Sequence, residues 1–125
     1  MRSLFTVLLL LIATTSFASV YDFKDNSNAS TTLSGTSYSM RVAGSSYSGT
    51  PYAIQVYSGS SPVGTIQGIL AKSDEIADQL TQWQDLTDGT ISADGFFHVF
   101  GPVTHIRIVM TSGTCKARLY QNVGK

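Results

Sequence analysis

Cysteine is nearly missing: Cys115 stands alone in 125 residues. One thiol cannot close an intramolecular disulfide, the usual support of a small exported domain, so stability must come from packing or assembly. Histidine is almost as scarce, with His98 and His105 the whole supply. They lack zinc-type spacing and fall short of a ligand set, so neither a metal nor any other cofactor is expected. Net charge is absent too, because eight Lys/Arg balance eight Asp/Glu. No basic excess exists to neutralise phosphates, which argues against nucleic acid as a partner. The same balance argues against an anionic membrane surface. Long apolar runs are limited to Leu4–Ala13, half of the ~20 residues that a membrane-spanning helix needs.

That run has the setting of a signal peptide. Arg2 precedes it, polar Thr14, Thr15 and Ser16 follow, and Ser16 and Ala18 place small residues at −3 and −1. The expected organisation is a signal peptide over 1–18 and a single domain over 19–125. Processing of the 125-residue chain after Ala18 leaves 107 residues, and loss of Arg2 leaves them one negative charge in excess. That length suits one modest core. The expected location is exported (periplasmic, extracellular or virion-associated), with no membrane association after cleavage.

Short apolar runs with period-two alternation recur between Gly, Ser, Thr, Asn and Asp, the pattern of half-buried strands. Eight strands are expected, near Val20–Phe23, Tyr38–Ala43, Pro51–Tyr57, Val63–Ala71, Trp83–Leu86, Gly95–Phe100, Val103–Met110 and Thr114–Gln121. Tyr38, Met40 and Val42 share one face, as do Tyr52, Ile54 and Val56. Ile106, Ile108 and Met110 form another apolar set, and Cys115, Ala117 and Leu119 a fourth. Thr111-Ser112-Gly113-Thr114 lies between two clean alternating runs and reads as a hairpin turn. Residues 73–80 carry an N-cap serine, early acids and apolar Ile76, Ala77 and Leu80, enough for at most one short helix. The fold class expected is all-β, an antiparallel β-sandwich or jelly-roll-like arrangement. The stretch from Asn26 to Ser61, with Arg41 its one charge, keeps its alternation, so it reads as strands with long small-residue turns rather than a linker.

No catalytic constellation emerges. The nucleophile elbow Gly-x-Ser-x-Gly is absent, and Ser58-Gly59-Ser60 does not supply it. A Cys115–His dyad fails because alternation turns Cys115 inward, where burial disfavours the thiolate. His98, between Phe96 and Phe100, and His105, beside Ile106, read as ordinary strand residues. Asp88-Gly89 and Asp94-Gly95 read as two β-turns, since the ligand spacing of a calcium loop is missing. Asn28-Ala29-Ser30 matches a glycosylation sequon, which matters only in a host that glycosylates. The chain is therefore expected not to be an enzyme.

Aromatic residues are more informative. Trp83 is expected in the core. Tyr47 and Tyr57 lie in Ser/Gly-rich turns or opposite an apolar face, where a tyrosine suits a sugar or another protein subunit. These two are the candidate binding residues. The function expected is a non-enzymatic structural or interaction module acting through protein–protein contacts, with a homo-oligomer or a larger assembly as partner. The alternative is a carbohydrate-binding or adhesin-like sandwich, in which Trp83, Tyr47 or Tyr57 stacks on a glycan.

The segment from about 51 to 121 also resembles a family of small bacteriophage virion proteins, those that decorate capsids or serve as minor structural components. The likeness is carried by Pro51-Tyr52-Ala53-Ile54-Gln55-Val56, then Trp83-Gln84-Asp85-Leu86, then Asp94-Gly95-Phe96-Phe97. It ends with Gly101-Pro102, the strand with Ile106-Arg107-Ile108, and Ser112-Gly113-Thr114. The resemblance implies a β-sandwich that decorates, caps or joins virus particles through subunit contacts. It implies no catalytic or ligand-binding residue.

Overall fold

A computed structural model describes residues 18–42, 52–99 and 103–122. The expected export segment up to residue 17, the stretch that carries Tyr47 and the Gly101-Pro102 pair lie outside the described residues. Six strands form one antiparallel sheet: β1 (Ala18–Asp22), β2 (Met40–Arg41), β3 (Tyr52–Ile69), β4 (Gln84–Ile91), β5 (Gly95–Val99) and β6 (His105–Asn122). One 3-10 turn, Ala77–Gln79, falls inside the stretch expected to hold at most a short helix. The all-β antiparallel expectation holds.

Among the described residues six strands stand where eight are expected, because two expected pairs of strands are each one continuous strand. Pro51–Tyr57 and Val63–Ala71 fuse into the 18-residue β3, and Val103–Met110 and Thr114–Gln121 into the 18-residue β6. The hairpin expected at Thr111–Thr114 is therefore absent. β6 pairs with β3 instead, from Ala53 opposite Tyr120 to Ile69 opposite His105. Thus Ile108 faces Ile66, and Leu119 faces Ile54. The small residues that looked like turns make bulges: the register shifts between Tyr57 and Gly64. Ser58 (φ 51), Ser61 (φ 46) and Gly113 (φ 69) adopt left-handed backbone there, the local signature of strands that bend without ending.

β3 and β6 are the centre of the sheet, and each bulge divides its strand into halves with different neighbours. One half-sheet runs β1-β6-β3-β5 and the other β2-β6-β3-β4. Both feed one core. Ile54, Val56, Ala117 and Leu119 come from the first half, and Ile66, Ile106, Ile108, Met110 and Ile91 from the second. Phe23, Leu33 and Val42 fill in from the segment along the β6 edge. A single sheet with halves sharing one core is compatible with the expected sandwich.

The 18–42 segment follows β6 along its whole length. Beyond β1, Phe23 donates its N–H to Ala117, Leu33 bridges Cys115, and Met40 pairs with Ile106. Between them Ser37 and Ser39 are buried while Tyr38 is exposed, so Tyr38 does not join Met40 and Val42 on the core side. Ser37 explains the inversion. Its N–H donates to the Ile108 carbonyl at 2.7 Å, and its Oγ accepts from the Ile108 N–H at 2.9 Å, so a side chain completes the ladder. Of the expected Tyr38–Ala43 strand, Met40–Arg41 is strand among the described residues, which end at Val42 here. The Asp88-Gly89 pair is corrected as well. It sits within β4, where Asp88 (φ 62) bulges out between the pairs Thr65–Thr90 and Gln67–Asp85. Asp94 closes the bend over residues 92–94 between β4 and β5, and Gly95 begins β5.

Candidate interaction surface

The two half-sheets treat their outer faces differently. In the second half, residues 70–83 fold back over the face, where Ile69, Ala77 and Trp83 form a small buried cluster with Ala71 and Leu80 packed against it. Asp78 anchors this cover, accepting from the Ser39 N–H and Oγ at 2.9 Å each. Arg107 lies over the Trp83 ring, 4.4 Å from its centroid. Its Nε donates to Gln67 Oε1 at 2.9 Å, and Gln67 Nε2 donates to Asp85 at 2.8 Å. Trp83 is buried as expected, which removes it as a platform for a sugar. Its Nε1 has no hydrogen-bond partner.

Among the described residues, no segment covers the outer face of the first half. Register places its side chains in rows across four strands. One row runs Val20, Tyr120, Ala53, His98, and the next Asp22, Arg118, Gln55, Phe96. Val20 is 57 % exposed, Phe96 70 % and Tyr120 43 %. With Ala53, Gln55 and Arg118 they line a shallow hollow of about 390 Å³. Contiguous apolar surface on a soluble protein is the usual mark of a contact site. Here two aromatics with a polar fringe give it the make-up of an interface core.

Arg118 organises one side of this face. Its Nε donates to Asp22 at 3.1 Å, and its guanidinium lies 4.7 Å from the centroid of the Tyr57 ring. The hydrogen bond to Asp22 raises the arginine pKa further. Both charged groups are nearly half exposed, so the pair orients the side chain more than it stabilises the fold. Tyr57 does face away from Ile54 and Val56, as expected. It ends the expected strand Pro51–Tyr57 and lies within β3, where it pairs with Lys116 and is half-buried under Arg118. Tyr47, the other candidate, lies outside the described residues. The sequence reading passed over Val20, Phe96 and Tyr120. The available signal was alternation itself, because Tyr120 follows buried Leu119, and Phe96 precedes Phe97, which packs on the core.

The residues with chemical potential do not converge. His98 opposes Ala53 and His105 opposes Ile69, near opposite ends of β3. Burial, helped by Arg41, holds the His105 pKa below the usual imidazole value, while its Nδ1 lies 2.9 Å from Thr104 Oγ1. Cys115 is buried and its pKa is pushed up by that burial, with its Sγ 3.7 Å from Met110 Sδ. Among the described residues no group of three or more His, Cys, Asp or Glu could hold a metal ion. Comparison with protein families, with curated proteins and with solved structures found no match to this chain.

Proposed function

We propose that this chain is an exported structural module that assembles through protein–protein contacts, as a virion or surface-assembly component, and that the open half-sheet is its contact surface. One observation carries the reading: Val20, Tyr120 and Phe96 are exposed together on a sheet face, while the matching face of the other half is covered by residues 70–83. Exposed apolar area of this kind is a liability unless a partner removes it from water. Tyr57 and Arg118 border the same face and supply a polar rim. The bacteriophage resemblance points to the same class of function. Of the residues expected to serve the sugar-binding alternative, Trp83 is buried, the Tyr57 ring is stacked under a guanidinium, and Tyr47 lies outside the described residues.

The test is where the exported protein sediments. From producing cells, the wild type should migrate with a high-mass particle or surface fraction. A Phe96→Ser/Tyr120→Ser variant with an unchanged thermal midpoint should migrate as free protein. Wild type found only as free protein would contradict the proposal.

A further inference from the structure

β1 is the outermost strand of the open half-sheet, and its free edge can be assigned atom by atom. The Phe23 N–H donates to the Ala117 carbonyl at 2.9 Å, one step beyond the Asp22–Arg118 pair. Phe23 and Ala117 therefore occupy a hydrogen-bonded position of the antiparallel ladder. Such positions alternate. Tyr21–Leu119 and Ser19–Gln121 are then the hydrogen-bonded pairs, and Val20 and Asp22 direct their N–H and C=O away from β6. An edge of this kind is a template for another strand. Natural edges are usually blunted by proline, lysine, a bulge or a covering segment. Among the described residues none of these blunts Ala18-Ser19-Val20-Tyr21-Asp22, and Val20 and Tyr21 are both exposed.

We infer that a second copy of this chain adds its own β1 antiparallel to the first, with a two-fold axis at Val20. The inference rests on the reading of the protein as an assembly module. A closed two-fold contact needs a self-complementary patch, and this register supplies one. The Val20 pair at the axis exchanges both backbone hydrogen bonds. On the outer face, His98, Ala53, Tyr120 and Val20 continue directly into the same four residues of the second copy in reverse order. Eight residues across eight strands become one row, and the exposed Val20 side chain gains an apolar neighbour on both sides. Charge agrees with this register. Asp22 lies across from position 18 of the second copy, so no acid faces an acid. In a chain processed after Ala18, the freed α-ammonium of Ser19 comes close to that Asp22 carboxylate.

The geometry makes proline a selective probe. At position 20 it removes an outward N–H and leaves the β1–β6 ladder intact, whereas at position 21 it breaks the bond to Leu119. Sedimentation equilibrium of the purified protein should give twice the chain mass for wild type. Val20→Pro should give the single-chain mass with an unchanged far-UV spectrum, and Tyr21→Pro should lose β1 protection altogether. Hydrogen exchange on the wild type covers the case in which Val20→Pro misfolds. The Val20 amide should be protected in the dimer and released on dilution, while the Tyr21 amide stays protected at both concentrations. A monomeric wild type, a dimeric folded Val20→Pro, or a Val20 amide that exchanges freely in the dimer overturns the inference. If the wild type is monomeric and Phe96→Ser/Tyr120→Ser still releases the protein from its particle fraction, the edge contact falls and the contact face stands.

Discussion

Gly113 shows how much of this fold depends on single positions. Its φ of 69° lies in the left-handed region, and a Cβ there would collide with the carbonyl oxygens of Ser60 and Ser61. Gly113→Ala should cost about 1–3 kcal/mol from backbone strain alone, measured by denaturant unfolding. A neutral result would mean the β6 bulge relaxes easily. Ile108 is fully buried against Ile66, so Ile108→Ala should lose ~2–5 kcal/mol, and a loss under ~1 kcal/mol would place it outside the core. His105 gives a pH dependence. Its pKa is held below the usual 6.5 by burial and Arg41, with Asp78 opposing. A depressed imidazole favours the neutral form in the fold, so its contribution is intact above the unfolded pKa. It is lost as pH falls through 6.5 towards the folded value. His105→Gln should flatten the unfolding midpoint against pH between about 7.5 and about 5, and an unchanged slope would show that other groups set it. The burial of Cys115, Ile106, Ile108 and Leu119 was readable in the sequence because alternation needs only the neighbouring residues. The exposure of Tyr38 was not, since it depends on Ser37 bonding a strand that lies far along the chain.

At the scale of elements, the sequence marked the apolar faces of β3 and β6 correctly and misjudged their continuity. Ile106, Ile108 and Met110 are even-numbered and Cys115, Ala117 and Leu119 are odd, so the inward parity flips between Met110 and Cys115. A hairpin produces such a flip, and so does a bulge within one strand. The choice is made by the partner: between Tyr57–Lys116 and Gly64–Met110, seven steps along β3 match six along β6. Only the pairing shows that, and period-two reading of a single chain does not contain it. The same holds for the cover over the second half-sheet. Residues 70–83 have little regular structure, yet Asp78 pins them to Ser39. Asp78→Ala should cost about 1–2 kcal/mol, the scale for losing charged hydrogen bonds at a partly exposed site. The loss should be local, with faster amide exchange over 72–80 and little change in β6. Uniform loss of protection would mean that this segment folds with the core.

For the whole molecule, the function proposed above rests on a contact surface, and the fold on the packing of one core. The open half-sheet joins the two, because its inner face holds Ile54, Val56, Ala117 and Leu119 while its outer face presents Val20, Phe96 and Tyr120. The proposed function is legible in the sequence only as a class, since composition points to a contact surface while pairing register is needed to propose a face. Tyr57 was found because it opposes an apolar face. Val20 and Arg118, on the same face, were missed because β1 and β6 meet from opposite ends of the chain. Tyr120 and Tyr38 are equally exposed at 43 %, and only Tyr120 lies on the open face, which gives an internal control. Hydroxyl-radical footprinting of the assembled protein, compared with the same protein dispersed, should show oxidation of Phe96 and Tyr120 falling sharply on assembly while Tyr38 and Ile76 stay reactive. Equal oxidation of Phe96 and Tyr120 in both states would contradict the open half-sheet as the surface through which this protein works.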